Sequence, residues 1–166
     1  MMSGFIPENY SEPSSGSGHY TKIEEGKKVK LRVLASPIQG FLKWTTEPKP
    51  VRWPLTDKEP QRKDWKDDNA KLFWAMPVWN YNSGQIEVGE VTQKSIRQEI
   101  ASLAQNEDWG SPIEYDLTVS RTGSGLETKY QVHPSPHRQQ DELVQAAYAK
   151  SAPKLEALFT GDDPFA

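Results

Sequence analysis

Between Lys28 and Ser36 the chain alternates: Val29, Leu31, Val33 and Ala35 fall on one side, and Lys28, Lys30 and Arg32 fall on the other. Period two with β-branched residues predicts a strand with one face in a core and a row of cations on the opposite face. The same signal recurs downstream. Residues 71–81 (KLFWAMPVWNY) read as a second strand, Asn82-Ser83-Gly84 as a turn, and 85–91 (QIEVGEV) as the returning third strand of a hairpin. Pro77 inside the second strand predicts a bulge or an edge position. Residues 114–121 (EYDLTVSR) and 126–133 (LETKYQVH) form another hairpin around Thr122-Gly123-Ser124-Gly125. Between the hairpins, Thr92 is placed to N-cap a helix over 93–105. Ile96, Ile100, Leu103 and Ala104 give that helix one apolar stripe.

Residues 37–70 contain Pro48, Pro50, Pro54 and Pro60 beside Trp44, Trp53 and Trp65. Prolines at that density predict a long loop without regular structure. The resulting order is strand, long loop, hairpin, helix, hairpin. It predicts an all-β fold with one inserted helix, a five-stranded OB-fold Greek-key barrel with the helix plugging one end. Residues 1–19, with Pro7, Pro13 and the run SSGSG, have linker composition and are expected to be a flexible N-terminal segment. The barrel domain is expected over 20–138. A partly helical, acidic C-terminal tail is expected over 139–166, with a weak stripe of Leu143, Val144, Ala147 and Tyr148 and a second piece containing Leu155, Leu158 and Phe159.

The chain has no cysteine and only three histidines, His19, His133 and His137, so neither a zinc site nor any other cofactor is expected. No stretch approaches the ~20 apolar residues of a membrane span, which predicts a soluble, cytoplasmic protein with no membrane partner. The net charge of −3 argues at first against nucleic acid. The first 19 residues hold two acids and no cation, however, and the tail carries −3, which leaves +2 for residues 20–138. Local clusters therefore decide the matter, because phosphates respond to charge within roughly 8 Å at physiological salt.

Binding a single strand requires cations along the phosphates and exposed aromatics that stack on bases. The polar face of the first strand offers Lys28, Lys30 and Arg32. The long loop offers Lys43, Trp44, Arg52 and Trp53, an arrangement of aromatics beside cations that suits ligand contact better than a core. On the second strand the more aliphatic set, Leu72, Trp74, Met76 and Val78, is assigned inward, leaving Phe73, Trp79 and Tyr81 to stack. Arg121, Lys129 and Tyr130 border the last hairpin. Alternatives stay open at two points. The first-strand lysines would equally protect a sheet edge, and a bulge at Pro77 would turn Trp79 inward. The tip Asp162-Asp163-Pro164-Phe165 combines acids with a terminal aromatic. It reads either as a frayed end or as a peptide that docks a partner protein and competes with DNA for a cationic groove.

The sequence resembles the OB-fold single-stranded DNA-binding proteins of tailed bacteriophages. The resemblance covers roughly 20–136. It is carried in order by Lys30-Leu31-Arg32-Val33-Leu34, Pro37-Ile38 with Trp44 and Arg52-Trp53, Val78-Trp79-Asn80-Tyr81, Val91-Thr92-Gln93-Lys94-Ser95-Ile96, Trp109-Gly110-Ser111-Pro112 with Tyr115-Asp116, and Gly125-Leu126-Glu127-Thr128-Lys129-Tyr130. The tip is also similar to the acidic, Pro-Phe-containing end of bacterial single-strand-binding proteins, with Ala166 added after Phe165. Some phage members hold zinc through His and Cys; a chain without Cys would be a zinc-free member. The resemblance implies a non-enzymatic protein that coats and protects single-stranded DNA in phage replication, recombination and repair. It also implies replisome or recombination proteins as partners of the tip, in the cytoplasm of an infected bacterium.

Two other classes compete. A nuclease would need clustered carboxylates for metal. Asp64, Asp67 and Asp68 are close in sequence but sit among Lys63 and Lys66, as solvated charges do. The other is an OB-barrel protein-interaction module that ignores nucleic acid and acts through its tail.

Overall fold

The computed structural model describes residues 20–166. The expected flexible segment, 1–19, lies outside the described residues. The strands are β1 (Lys28–Val33), β2 (Ile38–Trp44), β3 (Pro50–Pro54), β4 (Lys71–Asn80), β5 (Gln85–Val91), β6 (Leu117–Thr122) and β7 (Lys129–Pro134). Helix α1 (Lys94–Gln105) lies between β5 and β6, and α2 (Glu142–Ser151) follows β7. A 3-10 helix, Leu155–Thr160, comes near the C-terminus. The protein is thus mostly β with few helices, and no described helix is long and apolar enough to cross a membrane.

The strands make one seven-stranded antiparallel sheet in the order β3-β2-β4-β1-β6-β7, with β5 paired to the other edge of β4. Two points correct the expected five-stranded barrel. The segment expected to be a loop supplies β2 and β3, a hairpin in which Phe41 faces Trp53 and Lys43 faces Val51. Its prolines do not break the ladder, because Pro50 and Pro54 are the two ends of β3 while Pro48 and Pro60 lie outside strands. In addition, the sheet is open. β5 and β7 do not pair, and α1 packs against both of them.

β1 and β2 run in the same direction along one edge of β4. Val33 pairs with Val78, and Ile38 pairs with Ala75. Five steps on one strand therefore face three on the other, and the two extra residues bend the chain at 34–37. The bend lies opposite Pro77, whose carbonyl accepts from Leu34 N at 2.9 Å. A residue's N and C=O share an edge in an extended strand, so Pro77 places its missing donor where the ladder is already interrupted. The bulge expected at Pro77 lies across from it, in the partner strand.

The inner face of the sheet carries the main core: Val29, Leu31 and Val33 of β1, Met76 and Val78 of β4, and Ile96 and Ile100 of α1. Trp74 and Trp109 pack against this core, as their bulk suggests. The helix begins at Lys94 with Gln93 rather than Thr92 at its N-cap.

The outer face of β4 and β5 is also apolar, and the tail covers it. Leu155, Leu158 and Phe159 pack on Leu42, Phe73, Ala75 and Val88. Val144, Ala147 and Tyr148 pack on Leu34, Trp79 and Ile86, while Phe165 touches both groups. The tail expected over 139–166 thus packs on the sheet of the expected barrel domain. The tip folds back through Gly161, at φ 77°, a conformation that favours glycine. Lys154 N donates to Pro164 O at 2.8 Å, and Phe165 N donates to Asp163 Oδ1 at 2.9 Å. Pro164 is buried, whereas Asp162 and Asp163 remain exposed. Close packing extends to Gly40, where an added Cβ would come within 2.9 Å of both Phe73 and Phe159.

Leu158→Ala is expected to lower stability by about 2–5 kcal/mol, because it opens a cavity between tail and sheet. Leu126→Ala, at a fully exposed position, should change it by less than ~0.5 kcal/mol. Urea denaturation of both variants checks this; equal stabilities would mean that the tail does not hold the sheet.

Candidate nucleic-acid interface

The outer face of β1, β6 and β7 has a different character. Val29 and Leu31 point into the core, so Lys28 and Lys30 point out. Across the ladder Lys28 faces Ser120 and Lys30 faces Thr118. One strand further, Ser120 faces Gln131, Thr118 faces His133, and Thr122 faces Lys129. This patch of sheet is polar throughout, and Lys28, Lys30, Lys129, Gln131 and His133 are all exposed. Short hydroxyl side chains in its middle leave the cations standing above it.

Arg32 continues the row of β1 but is only 1% exposed. Its Nε donates to Asp116 Oδ1 at 2.8 Å, Nη1 to Ile113 O at 3.1 Å and Nη2 to Arg138 O at 2.8 Å. The same buried carboxylate accepts from Tyr81 OH at 2.8 Å and from Arg138 Nη2 at 3.3 Å, with Lys30 Nζ 3.8 Å away. The Lys30 ammonium lies 5.1 Å from the centre of the Tyr81 ring. Burial pushes the Tyr81 phenol up, and its hydrogen bond to Asp116 adds to this, so it stays an O–H donor. Arg138 is held more firmly protonated by its bond to the Tyr81 oxygen and by the Asp116 charge.

The remaining residues expected at the interface are elsewhere. Lys43-Trp44 and Arg52-Trp53 lie in β2 and β3, so neighbours in sequence point to opposite faces. Trp53 is buried between Phe41 and Trp65, at ring distances of 6.2 and 5.9 Å. Lys43 is buried as well, 5.0 Å from the Trp65 ring and 3.3 Å from Glu59. On the other face Arg52 forks onto Glu90 at 2.7 and 3.0 Å and lies 5.8 Å from the Phe73 ring. Trp44 is 39% exposed.

Phe73 and Trp79 require a correction: both are buried under the tail, because β4 has an apolar layer on each face and no solvent side. Trp74, Met76 and Val78 of the aliphatic set do face the inner core, while Leu72 belongs to no core cluster, and on the outer side Phe73 and Trp79 form part of a second core. Tyr81, one residue past β4, is half-buried. Arg121 and Tyr130 pair across β6 and β7 on the inner side, with the guanidinium 5.9 Å from the ring and Nη1 donating to Ile23 O at 3.2 Å.

Sequence reasoning missed Arg138, His133 and Asp116. Periodicity gave no signal for Arg138, which follows the last strand. His133 shares the parity of Lys129, which could have placed it on the same face. Asp116 stands alone before β6, and nothing local announces the cations it gathers. In the 62–68 stretch, Asp64 takes two bonds of 2.8 Å from Arg62, which hold its carboxyl below the usual range, and Asp67 accepts from Trp44 N at 2.8 Å. Those two carboxylates are engaged in local structure. No protein-family model matches the chain, and no curated protein or solved structure matches it either.

Arg32→Ala strands a buried carboxylate, so a loss of about 3–5 kcal/mol in stability is expected. Lys28→Ala on the same strand should change stability by less than ~0.5 kcal/mol. Thermal and chemical melts of the pair distinguish a cation that builds the fold from one that is free to meet a ligand.

Proposed function

We propose that the chain binds single-stranded DNA without sequence preference, along the outer face of β1, β6 and β7. The observation that carries this reading is the gathering of Lys28, Lys30, Lys129 and Arg138 on one exposed polar sheet face, with Tyr81 at its border. Cations spaced along a sheet follow a flexible phosphate backbone, whereas reading a duplex takes a helix or ribbon that enters its groove. The reading is one of binding rather than catalysis.

An OB-fold is the finer reading of the architecture. Counting β1 and β2 as one bent strand and setting β3 aside as an addition paired to β2, the order becomes β5-β4-β1-β6-β7, with α1 following the third of these strands, as in that fold. The face usually used by OB-folds, across β4 and β5, lies beneath the tail here, so stacking on Phe73 or Trp79 requires the tail to lift. Without that movement, phosphate contacts dominate, and the half-buried Tyr81 is the aromatic at the border of the cationic face. The resemblance to phage single-strand-binding proteins would make the role one of coating and protecting exposed strands during phage replication, recombination and repair, in the host cytoplasm. Recruitment of replication proteins by the tip would begin at the exposed Asp162 and Asp163. Docking through Pro164 and Phe165 requires their release from the sheet.

Anisotropy of a labelled oligo-dT, titrated at several salt concentrations, tests the proposal. Substituting Lys28, Lys30 and Lys129 together by Gln should weaken binding and flatten the log–log salt dependence by about 2, since each single-strand phosphate contact contributes ~0.7. Duplex DNA should bind more weakly than dT. A wild-type protein that ignores dT would overturn the reading in favour of a protein-interaction module.

A further inference from the structure

We infer that Asp116 is a positioning residue, and that Arg138 and Lys30, which it holds, form a site for one phosphodiester group. The inference rests on the single-strand reading and gives it a first anchor point.

Three cations and a phenol converge on one carboxylate. Oδ1 accepts from Arg32 Nε and from Tyr81 OH, each at 2.8 Å, while Oδ2 faces Arg138 Nη2 at 3.3 Å and Lys30 Nζ at 3.8 Å. Arg32 itself is satisfied by Oδ1 and two carbonyl acceptors, which leaves Oδ2 to Arg138 and Lys30. Lys30 and Arg138 have no need of Asp116 for solvation, because their side chains are 45% and 50% exposed. They nevertheless lean on the same acid, which fixes two long side chains that would otherwise sample many rotamers.

At the buried carboxylate itself one negative charge faces three positive ones. Two further acids stand at the rim, Asp141 at 4.0 Å from Arg138 and Glu114 at 3.7 Å from His137, and both are exposed, so solvent screens them. Beside Asp116, where Lys30 and Arg138 reach the surface, the cations outnumber the acid. Arg138 is also fixed through its backbone. Its N donates to Glu114 O at 3.1 Å, and its carbonyl accepts from Arg32. It lines a shallow cleft of about 570 Å³ with Arg32, Glu114, His137, Gln140 and Gln145. His137 is held against Tyr115 at a ring distance of 5.2 Å. A guanidinium with a held orientation, and an ammonium that reaches the same Asp116 oxygen, suit a tetrahedral monoanion.

Asp116→Asn gives a test in which the two explanations differ in sign. It removes a negative charge beneath a cationic face, so a purely electrostatic role predicts tighter binding to oligo-dT. A positioning role predicts binding weakened about 10-fold, with the salt slope reduced by ~0.7 or more, as one phosphate contact is lost. Tyr81→Phe keeps the ring and deletes the hydroxyl that joins Asp116 to Arg138. It should weaken binding several-fold with the fold retained by circular dichroism, and it carries the test if Asp116→Asn does not fold. Inorganic phosphate titrated into the labelled protein, observed by NMR, should shift the Arg138 side-chain and Tyr81 signals, and Arg138→Gln should abolish those shifts.

Unchanged or tighter dT binding in both folded variants overturns the inference while leaving the single-strand reading intact. Phosphate shifts in a wild-type protein that ignores dT would support the anion site and sink the single-strand reading instead. No shift with phosphate overturns the site, whatever the DNA does.

Discussion

β4 has neighbours along both edges and apolar layers on both faces, and the rest of the molecule is arranged around that double burial. A strand of this kind has no solvent side, so it needs a cover as well as a core. Helix α1 and the inner sheet residues supply the core. The cover comes from the C-terminal 25 residues or so, which the chain adds after its last strand. Removing water from Phe73, Trp79 and Val88 contributes roughly 1.5–3 kcal/mol per large side chain. A tail with only a weak apolar stripe can therefore stay on the sheet, because each of its few large residues meets a prepared apolar surface.

The double burial also divides the outer surface. Where the tail lies, the sheet is apolar and hidden; where it does not, over β1, β6 and β7, the sheet is polar and cationic. The boundary runs past Tyr81, whose ring meets Trp79 edge-on at 6.5 Å on the apolar side and the Lys30 ammonium on the polar side. The Arg32–Asp116 pair stitches this boundary beneath the surface. Such a pair adds little net stability, since desolvating both ions offsets most of their attraction. Its geometric effect is larger, because it ties β1, the turn before β6 and the segment after β7 at one point.

Much of the secondary structure was legible in the residues. Alternation located β1, β4, β5, β6 and β7, the Asn82-Ser83-Gly84 turn joined one hairpin, and the spacing of Ile96 and Ile100 found α1. The β2–β3 hairpin was not legible, because proline density resembles a loop whenever the prolines happen to fall at strand ends. Of the cationic face, Lys28, Lys30 and Lys129 could be read from parity within their own strands. Arg138 could not, since its place depends on how the chain returns after β7.

The sequence alone determined period, and period decides which residues share a face of one element. It determined the polar row of β1 and the apolar inner row of β4 because each is set by the two-residue repeat of a strand. Whether an outward row meets solvent or a second layer is not a local property. Phe73 and Trp79 read as exposed because nothing within their own strand covers them; residues of the tail, from Val144 to Phe165, do. Arg32 reads as a surface cation by the same parity as Lys30, and only the arrival of Asp116 beside it makes burying its charge tolerable. Those outcomes belong to the tertiary structure because burial and charge compensation depend on distance in space, and the sequence records only distance along the chain.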